Sequence, residues 1–130
     1  MKPIVLVIED DQALCWLIEK FLSKDFTVSI KREGITAMEW LLEGNIPNII
    51  LCDYNIPKIN GLEFLQNLTK SGAFKGIPFV MSSSFIDKTL NDKFLEAGAH
   101  TVLKKPFDPP KLIEVIKDIV KVENVLNKNV

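Results

Sequence analysis

Apolar runs and polar breaks alternate along this chain, each short run followed by a longer stretch with helical spacing. Residues 3–9, Pro-Ile-Val-Leu-Val-Ile-Glu, are mostly β-branched and continuously apolar until the final acid. That is the pattern of a strand covered on both faces in a parallel sheet. Leu14, Leu17, Ile18, Phe21 and Leu22 then recur at i, i+3, i+4 spacing and predict a helix with those side chains inward. Residues 26–30 read as a second strand. A second helix is predicted over 34–43, with Met38, Leu41 and Leu42 inward and Gly44 as its stop.

The alternation continues to the end of the chain. Residues 48–53, Asn-Ile-Ile-Leu-Cys-Asp, are a third apolar run closing on an acid. A turn-rich loop and a helix marked by Leu62, Leu65 and Leu68 come next. Residues 77–82 predict a fourth strand, 86–97 a helix with Leu90, Phe94 and Leu95, and 100–104 a short fifth strand. Asp108 and Pro109 have the chemistry of an N-cap and first helical position. Leu112, Ile113, Ile116, Ile119 and Val120 mark the last helix. Five strand–helix units predict one α/β domain, a doubly wound five-stranded parallel sheet with five helices, over residues 1–125. Residues 126–130 are read as a short tail.

Composition narrows the class. In 130 residues, 47% are apolar and 25% charged, and the formal net charge is -1. Nothing in this balance recommends nucleic acid or an anionic membrane surface as the main partner, and neither is expected. No stretch approaches the roughly 20 apolar residues of a membrane span, and the N-terminal run is too short for a signal peptide. Cys15 and Cys52 show no metal-binding or CxxC spacing and are expected as reduced core residues of a cytoplasmic protein.

Chemistry enters through the strand ends. In a doubly wound sheet the carboxyl ends of the strands share one edge, and ligands bind where the strand order reverses. With the common order 2-1-3-4-5, Glu9 and Asp10 after strand 1 converge with Asp53 at the end of strand 3. Ser82, Ser83 and Ser84 after strand 4 and Lys105 after strand 5 reach the same edge. Acids that close need a shared proton or a cation. An all-oxygen donor set suits Mg2+. A hydroxyl and an ammonium facing that cation suit a phosphoryl group, and a carboxylate beside it can act as nucleophile. Asp11 is expected to cap the first helix instead.

The segments Val-Leu-Val-Ile-Glu-Asp-Asp (5–11), Asp-Tyr-Asn-Ile-Pro-Lys-Ile-Asn-Gly (53–61), residues 77–84 and residues 96–107 occur in this order. Together they resemble the receiver domain of two-component response regulators over almost the whole chain. The resemblance implies the flavodoxin-like receiver fold, with Asp53 as phosphoacceptor. Asp10 would bind Mg2+ directly and Glu9 through water or as a second acid, with the backbone carbonyl of Asn55 completing the protein ligands. Ser83 would be the switch hydroxyl, Ser84 the small residue beside it, and Lys105 the phosphoryl contact. The peptide before Pro106 would be cis. The implied partners are a histidine kinase or histidine phosphotransfer protein, commonly docked at the first helix, where Trp16 is expected to be partly exposed, as is Trp40 on the second.

The sequence departs from the family at Val102, where the receiver's aromatic switch residue is expected; His100 reads as a plain surface or edge residue. A second apolar stripe on the last helix, Val115, Ile119, Val122 and Leu126, suggests a homodimer or downstream-protein contact beyond the core. The length after the last core position fits a stand-alone receiver. Three other readings compete. One is an adaptor that binds partners without phosphorylation. A second is a haloacid-dehalogenase-type phosphohydrolase, which wants an acid where Asn55 stands. The third is a flavodoxin-like electron carrier, whose flavin phosphate the acids would repel. The receiver is expected to have no independent metabolic substrate.

Overall fold

The computed structural model describes residues 2–128, with side chains in the last helix described as far as Lys121. Its strands are β1 (Ile4–Ile8), β2 (Thr27–Lys31), β3 (Ile49–Asp53), β4 (Phe79–Ser83) and β5 (Thr101–Lys104). They alternate with α1 (Gln12–Leu22), α2 (Gly34–Leu42), α3 (Gly61–Lys70), α4 (Lys88–Ala97) and α5 (Pro109–Lys128). All pairings are parallel, in the order β2-β1-β3-β4-β5. The predicted topology is the observed one. A short 3-10 turn at Gly72–Phe74 was not foreseen, because three residues give no periodicity to read.

The apolar runs are central strands whose alternate side chains feed two cores. Leu6, Ile8, Ile50, Cys52 and Met81 face α2, α3 and α4. Val5, Val7, Ile49, Leu51 and Val80 face α1 and α5. The two-residue period of a strand splits a continuous run between both faces. Each such aliphatic side chain contributes about 1.5–3 kcal/mol on burial, so β1 and β3 fix the centre of the sheet.

Three expectations about helix faces are corrected. Leu42 is 71% exposed, because α2 packs through Gly34, Ala37 and Leu41, one position round. Met38 is half-buried and packs against the core, as predicted. Phe21 and Leu95 are also exposed, since Ile18 with Leu22 and Phe94 with Leu90 already fill those contacts. Ser82 and Ser83 belong to β4 rather than following it, and only Ser84 lies beyond. The backbone of α5 runs to Lys128, into the stretch read as a tail. Ile119 of the proposed second stripe is core, and Val115 packs against the same cluster. The side chains of Val122 and Leu126 lie outside the described residues. No described helix is long and apolar enough to cross a membrane.

Candidate functional site

At the end of β1 three consecutive acids take three different places. Asp11 caps α1, its carboxylate accepting from the Leu14 N–H at 3.0 Å, as its side-chain chemistry predicts. Asp10 is exposed, and its carbonyl accepts a hydrogen bond from the Arg32 guanidinium at the end of β2. Glu9 turns inward and is buried, with its Oε2 accepting from the Asp11 N–H at 3.2 Å. The Cys15 thiol donates to the Glu9 carbonyl at 3.1 Å, pinning the strand end to the first turn of α1.

Asp53 closes β3 beside them. Its register partner on β4 is Ser82, and the Tyr54 N–H donates to the Ser82 carbonyl at 2.8 Å, which fixes the strand end. The start of α3 presses against this point. A Cβ on Gly61 would lie 2.7 Å from the Asp53 carbonyl oxygen and 2.9 Å from both the Met81 sulfur and the Tyr54 Cα. Only glycine permits that approach. Asn60 and Glu63 close a capping box that starts α3 there.

Carboxylate oxygens of Glu9, Asp10 and Asp53 lie within 4.8 Å of one another. Their acid-only chemistry matches a hard divalent cation that keeps several waters, and the exposed Asp10 leaves the cluster open to solvent. Lys105 arrives from the end of β5, held by its own N–H donating to the Ser83 carbonyl at 2.9 Å. Its Nζ is 2.5 Å from Glu9 Oε1 and 3.3 Å from Asp53 Oδ2. The Lys105–Pro106 peptide is cis.

Burial pushes the carboxyls of Glu9 and Asp53 above the usual carboxylate range. Lys105 opposes that rise in both, and the Asn55 N–H further lowers Asp53. Burial works against the Lys105 charge, yet the hydrogen bond and charge of Glu9, with Asp53, outweigh it and hold the ammonium above the ordinary lysine range.

Ser83 is buried at the end of β4, and its hydroxyl donates to the Phe85 carbonyl at 2.8 Å. It is thus engaged with its own loop. Ser82 is buried too, reaching the Cys52 carbonyl at 3.5 Å. Asn55 is exposed immediately after the site. Asp53, Glu9, Asp10 and Lys105 therefore meet as the sequence predicts. Arg32 went unread, because an arginine beside a strand end has no distinguishing spacing; Gly61 reads only as the last residue of the 53–61 motif, and its close contact emerges once its neighbours are placed.

A cleft of about 570 Å³ adjoins Lys105, lined by Asp11, Ala13, Leu14, Leu17, Ser84, Pro106 and Phe107. Trp16 stands exposed on α1 with Lys20 Nζ 4.9 Å from its ring centroid, and Trp40 is half-buried. Val102 is half-buried against the core, and His100 is exposed.

The family model described as response regulator receiver domain matches residues 5–117. Among curated relatives, the sensor histidine kinase CheAY of Helicobacter pylori is 31% identical over 122 residues, covering 92% of this chain. The polar-differentiation response regulator DivK of Brucella anthropi is 26% identical over 118 residues, covering 90% of this chain and 95% of that protein. The chain spans only a small part of the histidine kinases it matches, 8% of one and 15% of another. The solved structure of the phosphorylated cyanobacterial phytochrome response regulator RcpA superposes with a TM-score of 0.79 at 25% identity, covering 92% and 91% of the two chains.

Proposed function

The chain belongs to the response regulator receiver domain family of two-component signalling, and from that premise we propose that Asp53 is its phosphoacceptor. The observation that carries this reading is the meeting of Asp53 with two further carboxylates and the Lys105 ammonium at one strand edge. In the proposed reaction an Asp53 carboxylate oxygen attacks the phosphorus of a phosphohistidine on a histidine kinase or phosphotransfer protein. The P–N bond breaks, the new P–O bond forms, and the imidazole nitrogen leaves with the electron pair and takes up a proton. Hydrolysis of the acyl phosphate returns the carboxylate and inorganic phosphate.

Glu9, Asp10, Asp53 and the Asn55 carbonyl would hold Mg2+, whose chemistry is to neutralise charge on the phosphoryl oxygens. Lys105 sits 3.3 Å from Asp53 and needs only to leave Glu9 to meet a phosphoryl oxygen. The Ser83 hydroxyl has one proton, now given to Phe85, and would have to turn to reach the same group. Receiver-domain response regulators are signalling proteins rather than metabolic enzymes, and the same is proposed for this chain: an altered surface offered to a partner. The phosphorylated state named for RcpA supports the chemistry by relationship.

Acetyl phosphate with Mg2+ tests this reading. Intact-mass spectrometry should show one added phosphoryl group on the wild type and none on Asp53→Ala. A mass gain that survives Asp53→Ala, or no gain in the wild type, would remove Asp53 from the role.

A further inference from the structure

We propose that the groove between α2 and α3 docks an amphipathic helix of a partner protein, whose apolar stripe is flanked by lysines or arginines. The helix α2 carries two apolar stripes. Gly34, Ala37 and Leu41 form the buried one. Ile35, Met38 and Leu42 form the other at i, i+3, i+7, with Ile35 44% and Leu42 71% exposed. Met38 reaches the core from this side, but Ile35 and Leu42 do not join it, so those two add little to stability and cost solubility.

The second stripe borders a groove of about 290 Å³ whose far side includes Ile59, Phe64 and Asn67. Its floor is tightly packed. A Cβ on Gly34 would come within 2.9 Å of the Ile59 side chain and 3.1 Å of Phe64. Close packing there seats the half-buried Ile59 over the fully buried Phe64 and leaves a concave seam between two helices, the shape that receives the ridge of a third.

Charge selects the occupant. Glu39 lines the groove, and Glu43 follows one turn later. Among the described residues neither carboxylate has an ion-pair partner, whereas Lys58 is engaged 3.2 Å from Glu33. A second copy seated groove to groove would gather the Glu39 and Glu43 carboxylates of both copies in one interface, which like-charge repulsion disfavours. A stripe edged with basic residues satisfies both the apolar seam and the acids. This surface is separate from the carboxylate cluster, and its use does not depend on the phosphoacceptor reading.

The experiment uses the full chain, 15N-labelled, titrated with a fourteen-residue helix-forming peptide of leucine at i, i+3, i+4, i+7 and lysine elsewhere. A matched peptide with glutamate for lysine is the control. The leucine–lysine peptide should shift amides of residues 35, 38, 39, 42, 59 and 67, with the glutamate peptide bound at least roughly fivefold more weakly. Leu42→Ser should weaken binding roughly tenfold. Glu39→Lys with Glu43→Lys should weaken it roughly fivefold at low salt. The substituted positions Glu39, Leu42 and Glu43 are exposed, and an unchanged melting temperature checks the fold. Shifts confined to α1 or α4, or equal binding of both peptides, would overturn the proposal. So would a sedimenting dimer that Leu42→Ser dissociates, which would make the occupant a second copy.

Discussion

Lys105 Nζ lies closer to Glu9 than to Asp53, 2.5 Å against 3.3 Å. The ammonium is shared between two buried acids and leans toward the one that is not the proposed nucleophile. It therefore compensates carboxylates whose burial would otherwise favour their neutral forms. Lys105→Met should destabilise the metal-free fold by about 2–4 kcal/mol at neutral pH, read from urea unfolding, because both acids lose their counter-charge. A loss below about 0.5 kcal/mol would mean that the lysine is solvated rather than shared.

The three clustered acids set up an opposite effect when one is removed. Asp53→Asn relieves repulsion while Lys105 keeps Glu9. The metal-free variant should be about 1 kcal/mol more stable than the wild type. Millimolar Mg2+ should raise the wild-type melting temperature and barely move the variant, since ligand binding stabilises only a competent site. Thermal melts with Mg2+ and with a chelator distinguish the two.

Gly61 is where α3 approaches the proposed phosphoacceptor. Gly61→Ala places a methyl group 2.7 Å from the Asp53 carbonyl oxygen, and backbone must shift to admit it. Overpacking of this kind typically costs about 1–3 kcal/mol. Gly72→Ala, with nothing within 4 Å of the added carbon, is the control and should be neutral within about 0.5 kcal/mol. Equal unfolding midpoints for the two variants would contradict the close approach.

Ser83 links the site to the loop after β4. Ser83→Ala removes the hydrogen bond to the Phe85 carbonyl and should cost about 1 kcal/mol. Beryllofluoride with Mg2+ should shift amides of residues 84–87 in the wild type and shift them much less in the variant. Identical spectra would detach the loop from the hydroxyl.

Both thiols are buried, and burial raises Cys52 well above the usual thiol range and Cys15 above it. Neither should react with an aromatic disulfide reagent within minutes in the folded protein, and both should react in roughly 6 M guanidinium, which unfolds most domains. Rapid release of one equivalent before unfolding would place a thiol at the surface.

Much of this molecule was legible before any coordinates. The continuous runs at 4–8 and 49–53 specify central parallel strands, because a strand with alternate residues in two cores has no polar face to spend. Once those strands are parallel neighbours, Glu9, Asp10 and Asp53 must share an edge, and Lys105 reaches it from β5. Asp11 as a cap follows from local hydrogen bonding alone. The faces of α2 did not follow. Periodicity shows that Met38, Leu41 and Leu42 crowd one side of a helix, but the rotation of that helix depends on which side chains its neighbours leave room for. Gly34 and Ala37 let α2 sit close through a narrow small-residue stripe, and Leu42 is turned outward as a result. The close contact at Gly61, the Arg32 tie to Asp10 and the leaning of Lys105 toward Glu9 likewise join residues far apart in sequence. Spacing along a chain encodes which residues share a face. Only packing in three dimensions decides what that face meets.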